Sequence, residues 1–321
     1  MLSLDRVITD VQPTLERLES DRRSLKRSQQ AFYFWLVPIF AGLACLTFVS
    51  LPLAIGSAVL GLAISLTVHH FVVSKPKRRY VHRYKKTVLQ KLVKLVDSGL
   101  NYSPESGIAE QEFVASELFT KRPDRFHSED LVYGEHGKTG IRLSEVVAWE
   151  RETSTDSKGR SESRYVEYFR GLMLIADFHK HFGHRTFVFP DTAESLFGGF
   201  GRAMQKLGGR RGTRLVQMDN VAFEKAFAIY TSEQVEARYI LTPSMMERLL
   251  SMRKRFGGNV RVAFKDSYVW IAVPHKHQYL EPSHHVAATD TTQIQRMLQE
   301  VIPFLQIVDE LDLNTRIWTK Q

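Results

Sequence analysis

Histidine is the residue type here that could most directly do chemistry, because it binds metals and transfers protons near neutral pH. Two histidine groups stand out: His179, His181 and His184, and then His275, His277, His284 and His285. On a strand, His179 and His181 would share one face, and Asp177 could add a carboxylate ligand. A metal site also needs an orienting second set of partners, which the pattern does not indicate. Surface histidines in loops are the favoured interpretation, and we expect neither a metal nor a cofactor.

Two arginines could recognise an anion. Arg238 lies among apolar neighbours in a predicted strand, Ala237–Leu241, and Arg316 lies in a polar C-terminal segment. A guanidinium can hold a phosphate or a carboxylate through two parallel hydrogen bonds. It can equally form a structural ion pair with a nearby acid, which is the favoured alternative for both. We retain Asp177, Arg238 and Arg316 as candidate ligand or partner residues.

No catalytic motif is complete in the sequence. Residues 198–212 are glycine-rich and basic, but they lack the spacing of a phosphate-binding loop or a dinucleotide fingerprint. The metalloprotease, serine-hydrolase and kinase motifs are also absent. We therefore assign no catalytic residue and do not favour an enzyme. The alternative is a membrane-associated enzyme, with or without a metal ion, acting on a phosphate-bearing or lipid-linked substrate.

The element that must position any such group is an uncharged segment, residues 31–73, which contains no Asp, Glu, Lys or Arg. Residues 32–50 and 53–73 would form helices of about 28 and 31 Å, each close to the ~30 Å hydrocarbon thickness of a bilayer. Pro52 falls where a tight turn is needed. The segment therefore predicts a transmembrane hairpin of two helices.

The flanks of this segment predict its orientation. Both flanks are basic and the connecting loop is uncharged, a pattern that places both termini in the cytoplasm. The single cysteine, Cys45, lies within the apolar segment, so no intramolecular disulfide can form. We expect a two-pass protein of the cytoplasmic (inner) membrane.

The formal net charge of +9 comes from one stretch of the chain. Nine Lys and Arg side chains and no acid lie between Lys75 and Lys94, whereas the remaining residues are nearly balanced. A local excess beside an apolar segment argues against nucleic acid as the partner. The candidate contacts to anionic lipid head groups are Lys75, Lys77, Arg78, Arg79, Arg83, Lys85 and Lys86. The favoured alternative is that these charges only set topology.

Amphipathic helices are predicted on both sides of the hairpin. Residues 1–30 carry a heptad-like apolar stripe from Leu4 to Leu25, interrupted at Pro13, and residues 74–100 carry a basic juxtamembrane helix and linker. Helices that enter and leave a hairpin emerge side by side, so these two are expected to pack together. An interfacial helix and a seam for a homo-oligomer are the alternatives.

Residues 101–321 read as a cytoplasmic α+β domain with mainly antiparallel sheet and C-terminal helices. Hairpin-like spacing joins predicted strands at 130–135 and 141–150, and irregular alternation of strands and helices follows. The best-marked helix has Thr242 as its cap, Pro243 in its first position and Gly257-Gly258 at its end.

Three stretches carry a family resemblance: FRGL at 169–172 with DFHKHF at 177–182 and TFVFPD at 186–191, EARYILTP at 236–243, and LNTRIW at 313–318. With the preceding hairpin, they resemble the bacterial membrane family catalogued as domain of unknown function 3137. The resemblance implies a bacterial cytoplasmic-membrane protein, and it implies no catalytic residue because the family has no assigned activity. Relatives are often encoded beside a LemA-like membrane protein, which implies an envelope partner.

Together, these observations favour a membrane-anchored scaffold or interaction module at the bacterial inner membrane. Its expected contacts are the lipid bilayer, including anionic lipids, and an envelope protein.

Overall fold

The computed structural model describes six stretches of the chain: residues 4–45, 51–155, 161–178, 182–191, 212–276 and 280–311. These residues form two compact units. Unit one comprises Met1–Leu95 and Leu280–Leu298, and unit two comprises Val96–Tyr279 and Gln299–Gln321. The combination of long helices with a large antiparallel sheet confirms the α+β class.

Unit one is built on two long helical runs. Helix α1 spans Leu4–Cys45. The second run comprises α2 (Leu51–His69), a π-helical turn (His70–Ser74), α3 (Lys75–Tyr84), a second π-helical turn (Lys85–Leu89) and α4 (Gln90–Val96). Pro76 has no N–H to donate to the preceding turn, and the helix widens to the π form directly before it.

The two runs pack side by side in opposite directions. The Phe32 ring lies 5.5 Å from the His69 ring, Arg83 donates to Asp21 at 2.5 Å, and Lys91 donates to Thr14 at 3.3 Å. The residue numbers of the contacting partners therefore fall along α1 as they rise along the second run, so the two runs are antiparallel. We call α1 and the run Leu51–Val96 the helix pair.

The apolar stripe predicted in residues 1–30 forms part of the seam of the helix pair. Val11, Leu15 and Leu18 are buried, as are Tyr84 and Val88 on the second run. Pro13, however, does not interrupt the helix: α1 continues through it, and its side chain is exposed. The stripe is thus continuous where the sequence predicted a break.

One helix within the described residues, Ala58–Val96, is long and apolar enough to cross a membrane, and only 6% of its most apolar stretch is buried. Pro52 was predicted to lie in the turn between the two spans, but helix α2 begins at Leu51 and Pro52 lies in the first turn of this helix. The predicted first span, residues 32–50, ends in residues 46–50, which lie outside the described part of the chain.

Unit two is a nine-stranded sheet in which every pairing is antiparallel. Its strands are β1 (Leu100–Ser103), β2 (Arg125–His136), β3 (Thr139–Thr155), β4 (Ser161–Asp177), β5 (Thr186–Pro190), β6 (Arg214–Val216), β7 (Phe227–Thr231), β8 (Arg261–Lys265) and β9 (Tyr268–Pro274). The order across the sheet is β1-β2-β3-β4-β9-β8-β5-β7-β6. The predicted hairpin is the β2–β3 pair.

Apolar side chains from five strands (β3, β4, β5, β8 and β9) and one short helix form a core cluster in unit two. Helix α5 (Glu110–Ala115) places Phe113 against Phe169 of β4, with ring centroids 5.9 Å apart. Residues 171–176 of β4 are all buried, so both faces of the sheet are covered at its centre. This burial on both faces explains the continuous apolar run that the sequence shows there.

The other helices of unit two are α6 (Val221–Glu224), α7 (Gln234–Ile240) and α8 (Pro243–Arg255), and α9 (Thr291–Glu310) runs through residues of both units. The prediction for α8 is confirmed, because the Thr242 hydroxyl accepts from the Met245 amide and Gly257 and Gly258 adopt positive φ after its last residue.

The strand predicted at Ala237–Leu241 is wrong. The segment is the helix α7, which begins where the Glu233 carboxylate accepts from the Val235 amide. Ala237 and Ile240, three residues apart, are its buried positions, which is helical rather than strand spacing. The β-type composition of the segment is overridden by this cap and by packing.

Candidate membrane-surface site

The cations predicted to contact lipid divide into two groups. Lys75, Lys77, Arg78 and Arg79 are exposed and follow directly after the apolar residues of the second run. The ammonium of Lys75 lies 5.5 Å from the centre of the Phe71 ring, so charge and exposed apolar surface meet at this point. These four side chains are available for a surface ligand.

Arg83 and Lys85 instead make contacts within unit one. Lys85 is buried, and its ammonium lies 3.0 Å from the Glu281 carboxylate. Arg83 is exposed but is paired with Asp21 of α1. Lys86 is exposed and lies about two helical turns beyond Arg79. The structure therefore separates Arg83, Lys85 and Lys86 from the four exposed cations that precede them.

The antiparallel packing adds cations that the sequence analysis did not group with these four. Because Phe32 lies opposite His69 and Asp21 opposite Arg83, residues 22–31 of α1 lie beside residues 70–82. Neither stretch contains an Asp or a Glu. Lys26 and Arg27 are exposed there. We define the cationic surface as Lys26, Arg27, Lys75, Lys77, Arg78 and Arg79.

A pocket of about 620 Å³ lies on α1 beside this surface. It is lined by Glu16, Glu19, Ser20, Arg23, Ser24, Arg27, Ser28 and Thr289, and we call it the hydroxyl pocket. The serines and the arginines each recur every four residues, which places them on one side of the helix. Hydroxyl donors beside the Arg27 guanidinium are groups that bind phosphate, although Glu16 and Glu19 add carboxylates to the same lining. The four-residue spacing was the sequence signal for this pocket.

A buried ion pair fixes one wall of the hydroxyl pocket. Both oxygens of Glu19 accept from Arg22 at 2.8 Å, and Glu19 also accepts from Arg23 at 2.9 Å and from the Ala288 amide at 2.9 Å. The hydrogen bonds from Arg22 are the largest cause that lowers the pKa of Glu19 to about 2. Arg22 also donates to the His284 carbonyl at 3.3 Å, so residues 284–288 are held on α1.

His284 reports the electrostatic environment of this region. Burial is the largest cause that lowers the pKa of His284 to about 4, and the neighbouring charges of His285, Lys77 and Arg22 contribute in the same direction. The side chain is therefore neutral at physiological pH. A buried histidine that is kept neutral partly by cations indicates a locally positive potential beside Lys77.

Only some of the other candidate residues lie in the described part of the chain. Asp177 is the last residue of β4, where its backbone is in register with Tyr268 of β9. Arg238 is exposed on α7 and does not lie in a strand. Arg316, His179, His181 and His277 lie outside the described residues. His184 is exposed, whereas the rings of His284 and His285 are 3.9 Å apart. Within the described residues, no group of three or more His, Cys, Asp or Glu is arranged to hold a metal.

One histidine cluster in unit two was missed by the sequence analysis. His136, at the end of β2, places Nδ1 2.6 Å from Asp97 Oδ2 and Nε2 3.1 Å from Asp309 Oδ1. Burial opposes protonation, yet the hydrogen bonds to Asp97 and Asp309 outweigh it and raise the pKa of His136. No local spacing could reveal this cluster, because its members are separated by 39 and 173 residues.

Comparison with known proteins confirms the family resemblance. The family described as protein of unknown function (DUF3137) matches residues 167–313. No curated protein matches the chain. One solved structure with similarity is the crystal structure of the mycobacterial trehalose monomycolate transport factor A, TtfA, at 10% identity and a TM-score of 0.34, covering 69% of this chain and 95% of that one.

The buried ion pair of unit one gives a first prediction. Replacing Glu19 with Gln leaves the buried Arg22 guanidinium without its counter-ion, which we expect to cost roughly 3 kcal/mol. The measurement is hydrogen exchange by mass spectrometry over residues 284–290, where the Ala288 amide should exchange much faster. Glu16→Gln is the matched control, because Glu16 is exposed and accepts only a long bond of 3.4 Å from Gln12. Unchanged exchange in Glu19→Gln would contradict the role of the pair.

The His136 cluster gives a pH prediction. Since its folded pKa is raised above the ordinary 6.5, protonated His136 stabilises the fold at pH values below 6.5. This contribution is lost as pH rises through the raised pKa. The melting temperature of the detergent-solubilised protein should therefore fall over that interval, and His136→Gln should abolish this dependence. The exposed His127, substituted in the same way, should leave it intact.

Proposed function

We propose that this chain, which matches DUF3137 over residues 167–313, is a two-pass membrane-anchored interaction module. It presents its antiparallel sheet unit in the cytoplasm, at the inner membrane of a bacterium. The cationic surface contacts anionic lipid head groups, and the anchored domain binds an envelope protein partner.

The observation that carries this proposal is the distribution of exposed apolar side chains in unit one. Large apolar residues that are at least one-third exposed occur throughout residues 33–39 and 55–71, including Phe34 at 71% and Trp35 at 63%. Each fully exposed side chain of this size forgoes about 1.5–3 kcal/mol of burial energy in water. Two neighbouring helices with this composition are stable in a bilayer, where apolar exposure carries no such cost.

Aromatic residues support a specific depth in the bilayer. Tyr33, Phe34 and Trp35 on α1 lie close to the level of Phe71 on the second run, because Phe32 contacts His69. Tyr and Trp are enriched where hydrocarbon meets head groups. The cationic surface begins within a few residues of this aromatic level on both helices. This order, from apolar to aromatic to basic, is that of a cytoplasmic membrane interface.

The helix pair supports two crossings rather than one. The runs are antiparallel, so a chain that enters the bilayer along α1 returns along α2 to the same side. The apolar residues 31–73 include no charged side chain that could move an ion or relay a proton. An anchor is therefore better supported than a transport pathway.

A cysteine-labelling experiment tests the topology. In a Cys45→Ala background, single cysteines replace Ser50, at the end of the predicted first span, and Ser24 or Thr87 on the helix pair. We expect a membrane-impermeant maleimide to label position 50 in intact spheroplasts, and positions 24 and 87 only after permeabilisation. Labelling of positions 24 and 87 on opposite sides of the membrane would rule out the two-pass arrangement.

A second experiment tests the lipid contact. Replacing Lys75, Lys77, Arg78 and Arg79 with Gln removes four charges, each contributing about 1 kcal/mol near an anionic surface. Native mass spectrometry should then show at least about tenfold less bound phosphatidylglycerol than the unaltered protein. The matched control substitutes four exposed cations of unit two: Arg122, Lys225, Lys254 and Lys276. An equal loss in the control would show that net charge alone, and not the cationic surface, retains lipid.

A further inference from the structure

A groove runs along one flank of the helix pair, distinct from the cationic surface and the hydroxyl pocket. It has a volume of about 1080 Å³ and lies between α1 and the second run beyond Tyr84. Leu18, which is almost fully buried, forms part of its floor. We call it the basic groove.

The residues that line both walls of the basic groove recur at helical spacing. Asp10, Thr14, Arg17 and Asp21 recur along α1 at steps of four, three and four residues, and Arg83, Thr87, Gln90 and Lys94 recur along the second run at the same steps. This spacing keeps a single stripe of each helix facing the groove over three turns. The space between two such stripes has the shape that receives a third helix in a bundle.

The opposite flank of the helix pair is already covered by this chain. Residues 280–298 lie there, where the Ala288 amide donates to Glu19, the His284 carbonyl accepts from Arg22, and Glu281 pairs with Lys85. On a helix, Glu19 and Arg22 lie on the far side of the buried stripe from Asp10, Arg17 and Asp21. One flank of the seam thus has its covering segment, whereas among the described residues the basic groove opens on the other.

Charge determines what fits this opening. The groove is lined by five cations, Arg17, Arg83, Lys86, Lys91 and Lys94, and by two carboxylates, Asp10 and Asp21. Asp21 is paired with Arg83 across the groove, at 2.5 Å. The excess of positive charge lies above an apolar floor, so the complementary ligand carries acidic side chains on both edges of an apolar stripe.

We propose that the basic groove docks an acidic amphipathic helix of a partner protein. The proposal rests on the interaction-module function and names the chemistry of one partner. Apolar residues of that helix pack on Leu18 and on the aliphatic stems of the lysines, and its Asp and Glu residues face the groove cations. The groove extends along α1 from Asp21 to Asp10, and the 11 residue steps between them correspond to about 16 Å of helix.

The same observations disfavour two other occupants. A second copy of the chain would bring an identical excess of positive charge against the groove, so two grooves repel each other. A lipid is disfavoured because the groove begins at Asp21 and Arg83 and runs away from the apolar residues 33–39 towards Asp10. A protein helix needs no contact with the bilayer to fill it.

The test uses the full-length protein in phosphatidylcholine nanodiscs and a designed 18-residue peptide. The peptide carries Leu at heptad positions a and d and Glu at e and g, and its control has Gln in place of every Glu. Fluorescence anisotropy should show binding of the Glu peptide and at least about tenfold weaker binding of the Gln peptide. Equal binding of the two peptides would overturn the proposal, because the groove cations would then not select the ligand.

Charge reversal locates the binding. The triple variant Arg17→Glu, Lys86→Glu and Lys91→Glu should weaken binding of the Glu peptide by about tenfold or more. The milder Gln substitutions at these positions guard against a folding defect and should weaken it by a smaller factor. The matched control reverses Lys225, Lys254 and Lys276, which are exposed on unit two. A loss of equal size in this control would overturn the proposal.

Two further readouts separate the proposal from its rivals and from the membrane topology. Replacing part of the phosphatidylcholine with phosphatidylglycerol should leave peptide affinity unchanged, and competition by this lipid would make the groove a lipid site. A change of oligomeric mass in the triple variant would make it a self-association surface. Neither readout depends on cysteine labelling at positions 24, 50 and 87. The two-pass topology and the docking proposal can therefore be contradicted independently of each other.

Discussion

The seam of the helix pair is the constraint on which unit one depends. Val11, Leu15 and Leu18 on α1 pack in the buried layer with Tyr84, Val88 and Leu92 of the second run, and removing such side chains from water stabilises the pair by several kcal/mol. This seam sets the antiparallel register. The register in turn places Lys26 and Arg27 beside the basic residues of α3, and it shapes the basic groove on one flank.

Elements with a strong local pattern could be predicted from the sequence. The uncharged segment 31–73, the heptad-like stripe of α1 and the capped helix α8 each carry a periodicity or a cap that acts over one or two turns. The antiparallel character of the sheet followed from short, hairpin-like spacing between strands. For these elements, local sequence and tertiary packing favour the same structure.

Features that depend on long-range contacts could not be predicted in this way. The segment 237–241 has strand composition but forms α7, because packing of Ala237 and Ile240 outweighs intrinsic preference. Arg22 lies between Leu18 and Leu25 of the apolar stripe, and its partners include the carbonyl of His284, 262 positions away. Lys85 was grouped with the cations predicted to contact lipid, but it is buried and paired with Glu281. These pairings join residues that are far apart in the chain, so the local patterns of a single sequence do not predict them.

The hydrogen bond from the Ala288 amide to Glu19 also constrains the order of folding, because 269 residues separate its ends. At a synthesis rate of about 5–20 residues per second, α1 leaves the ribosome about 15–50 s before residue 288. During that interval Glu19 lacks its backbone donor and the flank of the helix pair that residues 280–298 later cover is open. Unit one is therefore completed only after the whole of the β-sheet has been translated.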